Sequence, residues 1–107
     1  MLPKKNRVDK KEANLIFKSG RFLGSKNLTL KFIKNNTILP RVSIVVPKSV
    51  FKKAVRRNSL RRKGYIVLQK YFSRLPEGFS GMFIFNKKFE SKEEIEYEIK
   101  KIFDKLY

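Results

Sequence analysis

The chain has 107 residues, room for one domain with a modest core, and sets 27 Lys and Arg against nine Asp and Glu for a net charge of +18. Hydrophobic residues make up 41% of it and ten are Phe, which excludes a disordered polycation; the absence of Cys and His excludes disulfides, thiolate metal sites and the commonest general base. So large a positive excess points first to a nucleic-acid partner and second to an anionic membrane surface.

In chain order, residues 1–8 read as a mobile basic arm. It lacks the apolar stretch of a secretory signal, and no run in the chain approaches the roughly 20 residues of a membrane span, so a cytoplasmic location is expected. Asp9 and Glu12 have the spacing of an N-cap and its capping-box partner. Ala13, Ile16 and Phe17 follow at helical spacing and Gly20 stands where a helix stops, which predicts a helix over Lys10–Ser19. From Phe22 to Ile33 the period changes: Leu28, Leu30 and Phe32 alternate with Thr29, Lys31 and Ile33, as in a strand with one buried face. Lys34-Asn35-Asn36-Thr37 is a turn signal. The next strand, Arg41 to Val46, is nearly all β-branched, and its continuous apolar run predicts a place in the middle of a sheet.

Residues 52–65 read KKAVRRNSLRRKGY, with seven cations in the first twelve positions. On a helix, Leu60, Gly64, Val67, Leu68 and Tyr71 share one side, while Asn58, Arg61, Arg62 and Tyr65 share another. Gly64 is read as letting the helix approach the sheet, and Leu75-Pro76-Glu77-Gly78 as ending it. Met82–Phe85 is a short buried strand. Ser91 and Glu94 form a second capping box before a helix whose apolar stripe is Ile95, Ile99, Ile102, Phe103 and Leu106. The expected architecture is an α+β sandwich, a small mixed sheet of about four strands packed with three helices in the order α-β-β-β-α-β-α. No repeat, low-complexity stretch or linker divides residues 1–107, so they form one domain.

The charge is concentrated mid-chain. No Asp or Glu lies between Glu12 and Glu77, where sixteen Lys and Arg fall, whereas the tail from Glu77 holds seven acids and six bases. A solvated helix face normally mixes signs so that i, i+4 pairs form; the like charges of the basic helix repel each other instead, a cost that a phosphate backbone relieves. Lys52, Lys53, Arg56, Arg57, Asn58, Arg61, Arg62, Lys63 and Tyr65 are therefore the candidate RNA-binding set, with the arginines offering planar forks to phosphate oxygens. Phe17, Phe22, Phe32 and Phe51 lie in or beside the basic window, and the plain reading of each is core packing. Phe17 has a second reading, stacking on an unpaired base at a helix–sheet edge. No carboxylate pair or metal-ligand cluster stands out, so catalysis by the protein alone and a protein-bound metal are not expected.

With these elements in order, the chain resembles the protein component of bacterial ribonuclease P. The resemblance runs through Asn6-Arg7-Val8 and Ile16-Phe17-Lys18-Ser19-Gly20-Arg21 and is strongest from Arg41 to Arg62. Its centre is Ala54-Val55-Arg56-Arg57-Asn58-Ser59-Leu60-Arg61-Arg62, in which Ser59 stands at the second arginine of the family's Arg-Asn-Arg motif. Ala13, Lys31 and Pro47 depart from the family's usual Phe, strand aromatic and Ser. The resemblance implies a left-handed βαβ crossover from Arg41–Val46 through the basic helix to Met82–Phe85. It implies a large catalytic RNA that removes the 5′ leader of precursor tRNA with bound Mg2+. Arg57, Asn58, Arg61 and Arg62 would touch that RNA, and Phe17, Arg21, Lys31 and Lys48 would lie on or near the leader path. The partners implied are the catalytic RNA and precursor tRNA, with no membrane and no obligate protein partner. A structural RNA-binding module such as a small ribosomal protein is the alternative. A peripheral membrane protein is disfavoured, because the basic helix lacks a broad apolar face opposite its cations.

Overall fold

A computed structural model describes residues 6–34 and 40–106 of the chain. The first helix, α1, spans Lys10–Ser19 as its spacing predicts. Asp9 opens it: the Glu12 amide donates to Asp9 Oδ1 at 2.8 Å, satisfying one of the free N–H groups of the first turn. The Glu12 carboxylate itself is directed at the sheet, accepting from Arg41 at 2.6 Å and from the Ser80 hydroxyl at 2.9 Å. Gly20 closes the helix in an extended conformation, and a Cβ there would collide with the Ile16 carbonyl. Crowding, not a left-handed backbone, makes this position glycine.

The three strands expected between the first two helices are found, two of them as a hairpin in the stretch from Phe22 to Ile33. Strand β1 spans Arg21–Gly24 and β2 spans Leu28–Lys34, paired antiparallel. Gly24 has a φ of 127°, a region that excludes other residues from this turn. Strand β3 is Arg41–Val45 and β4 is Phe79–Phe85, longer at its start than Met82–Phe85. The turn expected at Lys34–Thr37 lies, beyond Lys34, outside the described residues. The sheet order is β1-β2-β4-β3, with β2 antiparallel and β3 parallel to β4.

The apolar run of β3 was expected mid-sheet, and this is corrected: β3 is an edge. Only Val42 and Ile44 point into the core, while Arg41, Ser43 and Val45 are half-buried. What covers β3 is not a strand. The Val8 amide donates to Ser43 Oγ at 3.0 Å, and the Ile44 amide donates to the Tyr65 hydroxyl at 3.1 Å. The buried position belongs to β4, where every residue but Ile84 is buried.

Helix α2, Ala54–Gln69, joins β3 to β4, and α3, Lys92–Leu106, follows β4. Both pack on the face formed by Leu28, Leu30, Val42, Ile44, Phe83 and Phe85. A Cβ on Gly64 would come within 2.7 Å of Ile44 Cδ1 and 2.8 Å of Phe85 Cζ, so glycine does let α2 approach the sheet. α2 stops at Gln69, earlier than Leu75–Gly78, because a 3-10 turn, Phe72–Arg74, intervenes. Ser91 caps α3 through the Glu94 amide at 3.2 Å, but the Glu94 carboxylate accepts from the Glu90 amide, one residue before the box position. The result is an α+β sandwich, with α2 and α3 on one face of the sheet and α1 on the other. The basic arm expected over residues 1–8 has its described part against β3: Asn6 is buried and its Nδ2 donates to the Pro40 carbonyl at 3.3 Å. Residues 1–5 lie outside the described residues.

Candidate nucleic-acid interface

Helix α2 begins at Lys53 without a side-chain cap, and its first turn holds Arg56 and Arg57 and no acid. Cations here oppose the helix dipole, so the local sequence favours an external anion. Arg57 answers part of this within the chain: its Nη1 donates to the carbonyls of Phe51 at 2.9 Å and Lys52 at 2.6 Å. That nitrogen ties down the loop that delivers the helix, and Arg57 is correspondingly half-buried.

The remaining cations divide over the exposed half of α2. Lys52, Lys53, Arg56, Asn58 and Arg62 are exposed, with Val55 and Ile66 exposed along the same crest. Arg56, Ser59 and Lys63 line a shallow depression of about 150 Å³ on one flank. Asn58, Arg61, Arg62 and Tyr65 line a cleft of about 400 Å³ on the other, the grouping read from helical spacing. Among the described residues no Asp or Glu pairs with Arg56, Arg57, Arg61, Arg62 or Lys63. By contrast Lys70, Arg74, Lys87 and Lys101 each meet an acid of α3. Arg41, also in the basic window, is neutralised at 2.6 Å by Glu12, whose hydrogen bond and charge hold the guanidinium pKa above its ordinary value. A dense positive helix face without internal neutralisation has the chemistry that suits a phosphate backbone.

Tyr65 was placed on the polar stripe, and this is corrected. It is 3% exposed, and its hydroxyl is the acceptor for Ile44 N–H on the edge strand. Its side chain walls the cleft without projecting from it. Helical spacing alone could not show this, because the burial comes from β3 beneath.

On the opposite face of the sheet, α1 presents Phe17, 48% exposed, with Lys31 Nζ 5.3 Å from its ring centroid. Phe22, expected in the core, is 72% exposed. The hairpin pairs it with Lys31, so both project from one face. Phe17, Lys31 and Phe22 therefore form an aromatic and cationic cluster between α1 and the sheet. Phe32 does join the core side, stacking on Phe79 at 5.6 Å. Arg21 pairs with Phe32 and so faces away from Lys31; it lines a depression of about 490 Å³ with Ser19, Ile33 and Lys34. Lys48 is exposed in the turn after β3, held by the Val50 amide on the Pro47 carbonyl at 3.0 Å. The sheet order sets that edge across from Phe22. The signal for Phe22 is its register against the Leu28, Leu30, Phe32 alternation, which shows only once the hairpin pairing is known.

Among the described residues no helix is long and apolar enough to cross a membrane, and no group of three or more acids, His or Cys is placed to hold a metal ion.

The family model described as Ribonuclease P matches residues 2–107. The chain is 37% identical over 81 residues to the ribonuclease P protein component of a Pseudanabaena species, a match covering 73% of this chain and 69% of that protein. The RNase P protein from Thermotoga maritima superposes with a TM-score of 0.80 at 26% identity, over 94% of this chain and 97% of the other. RNase P protein of Staphylococcus aureus, 17% identical, shares the fold with a TM-score of 0.81 over 94% of each chain.

Proposed function

The chain belongs to the ribonuclease P protein family and is a subunit of that RNA-containing enzyme, and from this premise we propose how its two faces divide the work. The exposed half of α2 docks on the catalytic RNA. The α1 side of the sheet receives the single-stranded 5′ leader of precursor tRNA, with Phe17 and Phe22 as stacking surfaces and Lys31 between them for a phosphate. The observation that carries this reading is the α2 face itself: arginines and lysine without an acidic partner, around a cleft floored by protein. The location proposed is cytoplasmic. The small ribosomal protein considered as an alternative is not favoured by the family match.

Magnesium, when bound by the RNA, supplies the metal chemistry of phosphodiester hydrolysis. The described acids do not fit such an ion, since no three of them are gathered in one group and Asp9, Glu12, Glu94, Glu96 and Glu98 are engaged by amides, hydroxyls or cations. What the protein does is hold the two RNAs in register, an effect of position and charge. The test is reconstitution with the catalytic RNA. Adding protein is expected to lower the magnesium needed for leader cleavage. RNA-free protein that cleaves precursor tRNA, or a holoenzyme no better than RNA alone at low magnesium, would overturn the reading.

A further inference from the structure

Three arginine Nε atoms are buried without a hydrogen-bond partner among the described residues: Arg7, Arg41 and Arg61. Arg41 is engaged through Nη1 with Glu12. Arg7 and Arg61 have no such acid, and both line one cleft of about 380 Å³ that follows the outer edge of β3 between the N-terminal segment and α2. The polar groups on the floor are already used: Ser43 Oγ by Val8 and the Ile44 amide by Tyr65. The acid on its wall, Asp9, accepts from the Glu12 amide through Oδ1 and lies 3.9 Å from Arg41 through Oδ2. Two guanidinium groups thus border one cavity, and among the described residues neither is paired with an acid or bonded to an acceptor through Nε. The Nε atoms are shielded, but each guanidinium borders the open cleft, and the acceptor that suits two such planar forks without an acid is a phosphate oxygen.

We propose that Arg7 and Arg61 form a clamp for one backbone phosphate of the catalytic RNA, carrying the α2 docking face around the edge of β3 onto the N-terminal segment. The proposal rests on the reading of α2 as that docking face. Continuity assigns the phosphate to the catalytic RNA and not to the leader. Arg61 and Tyr65 line both this cleft and the Asn58–Arg62 cleft, whereas Phe22 of the aromatic cluster sits on the opposite edge strand. The clamp is also pre-positioned. Hydrogen bonds from Asn6 to Pro40 and from Val8 to Ser43 fix the backbone on both sides of Arg7.

The experiment measures binding of the full chain to its catalytic RNA at several KCl concentrations, with Arg62→Ala as reference. Arg7→Ala and Arg61→Ala are each expected to weaken assembly about tenfold, as for loss of a charge-assisted contact. The slope of log K on log salt should shrink by about 0.7–0.9, one phosphate. The double variant should lose far less than the product of the single losses, because one phosphate is shared. Arg7→Lys, which keeps the charge and not the fork, recovers part of the loss. Affinity of the assembled holoenzyme for a short 5′ leader stays unchanged.

Wild-type affinity and slope for Arg7→Ala beside a weakened Arg62→Ala overturns the clamp and leaves the docking face standing. Wild-type binding by both overturns the docking face as well. Fully multiplicative losses, or a loss confined to leader affinity, also overturn the clamp. Thermal unfolding should be unaltered in Arg7→Ala; if it is not, Arg7→Gln, which keeps the aliphatic stem, replaces it in the binding series.

Discussion

At the scale of single residues, α2 separates groups that serve the fold from groups that serve a partner. Tyr65 and Arg62 are neighbours in one cleft, yet one hydroxyl is spent on Ile44 N–H and the other side chain is exposed without an acid. Their substitutions should therefore read out in opposite assays. Tyr65→Phe removes the acceptor of a buried amide and should cost about 1–3 kcal/mol of folding stability, with RNA affinity of the folded protein nearly unchanged. Arg62→Ala should leave the unfolding midpoint in place and weaken RNA binding by about 1–3 kcal/mol. Denaturant melts and RNA titrations on both proteins check the crossing; an Arg62→Ala protein that unfolds early while binding normally would reverse the assignment. Arg57 stands between them, because one nitrogen of its guanidinium, Nη1, holds the carbonyls of Phe51 and Lys52 while no acid pairs with it among the described residues.

At the scale of elements, the end of α2 is fastened to α3 by groups that titrate. The Tyr71 hydroxyl donates to Glu96 Oε2 at 2.7 Å and Lys70 lies 3.3 Å from Glu96 Oε1. The Tyr71 bond, then Lys70, hold the Glu96 carboxyl below its ordinary 4.5, and the same bond to Glu96 pushes the Tyr71 phenol above its ordinary 10.0. A lowered carboxylate pKa stabilises the fold above 4.5 and loses that contribution as pH falls through the lowered value. A raised phenol pKa stabilises it below 10.0 and loses that contribution as pH rises through the raised value. The α2–α3 fastening is thus complete only between those limits. Glu96→Gln is expected to lower the melting temperature at about pH 7 and to converge with wild type in acid, where both carry a neutral group. A gap that persists unchanged in acid would show that packing, not charge, holds this contact. The same elements show what the chain reveals locally. The starts of α1 and α3 were legible because Asp9 and Ser91 bond to amides three residues away. The basic cleft was legible because Asn58, Arg61 and Arg62 share one helix. The edge position of β3 and the burial of Tyr65 depend on pairings between distant segments, and the exposure of Phe22 on the register of a hairpin; no single-strand period encodes those. Arg7 escaped for the same reason, since its cleft is made by β3 and α2.

At the scale of the whole molecule, +18 is spread over a body of 35 × 27 × 25 Å, and the acids that offset it lie mostly in the tail from Glu77. Salt must then act in opposite directions on the free protein and on the complex. The screening length falls from about 30 Å at 0.01 M to about 10 Å at 0.1 M, from the span of this molecule to the width of one helix. Over that range the self-repulsion of the free protein fades, so its melting temperature is expected to rise with KCl. Binding follows the other sign, because each phosphate contact releases counterions into a solution that already holds more of them. With about five or six phosphates held by Lys52, Lys53, Arg56, Arg62, Lys63 and the shared Arg7–Arg61 clamp, log K should fall on log salt with a slope of about −4 to −5. Both quantities can be measured on one preparation, by melting alone and by titration with the catalytic RNA. A melting temperature that falls with KCl would mean that internal ion pairs such as Arg41–Glu12 outweigh the repulsion. A binding slope near zero would remove charge as the source of affinity and leave the exposed crest of Val55 and Ile66 to supply it.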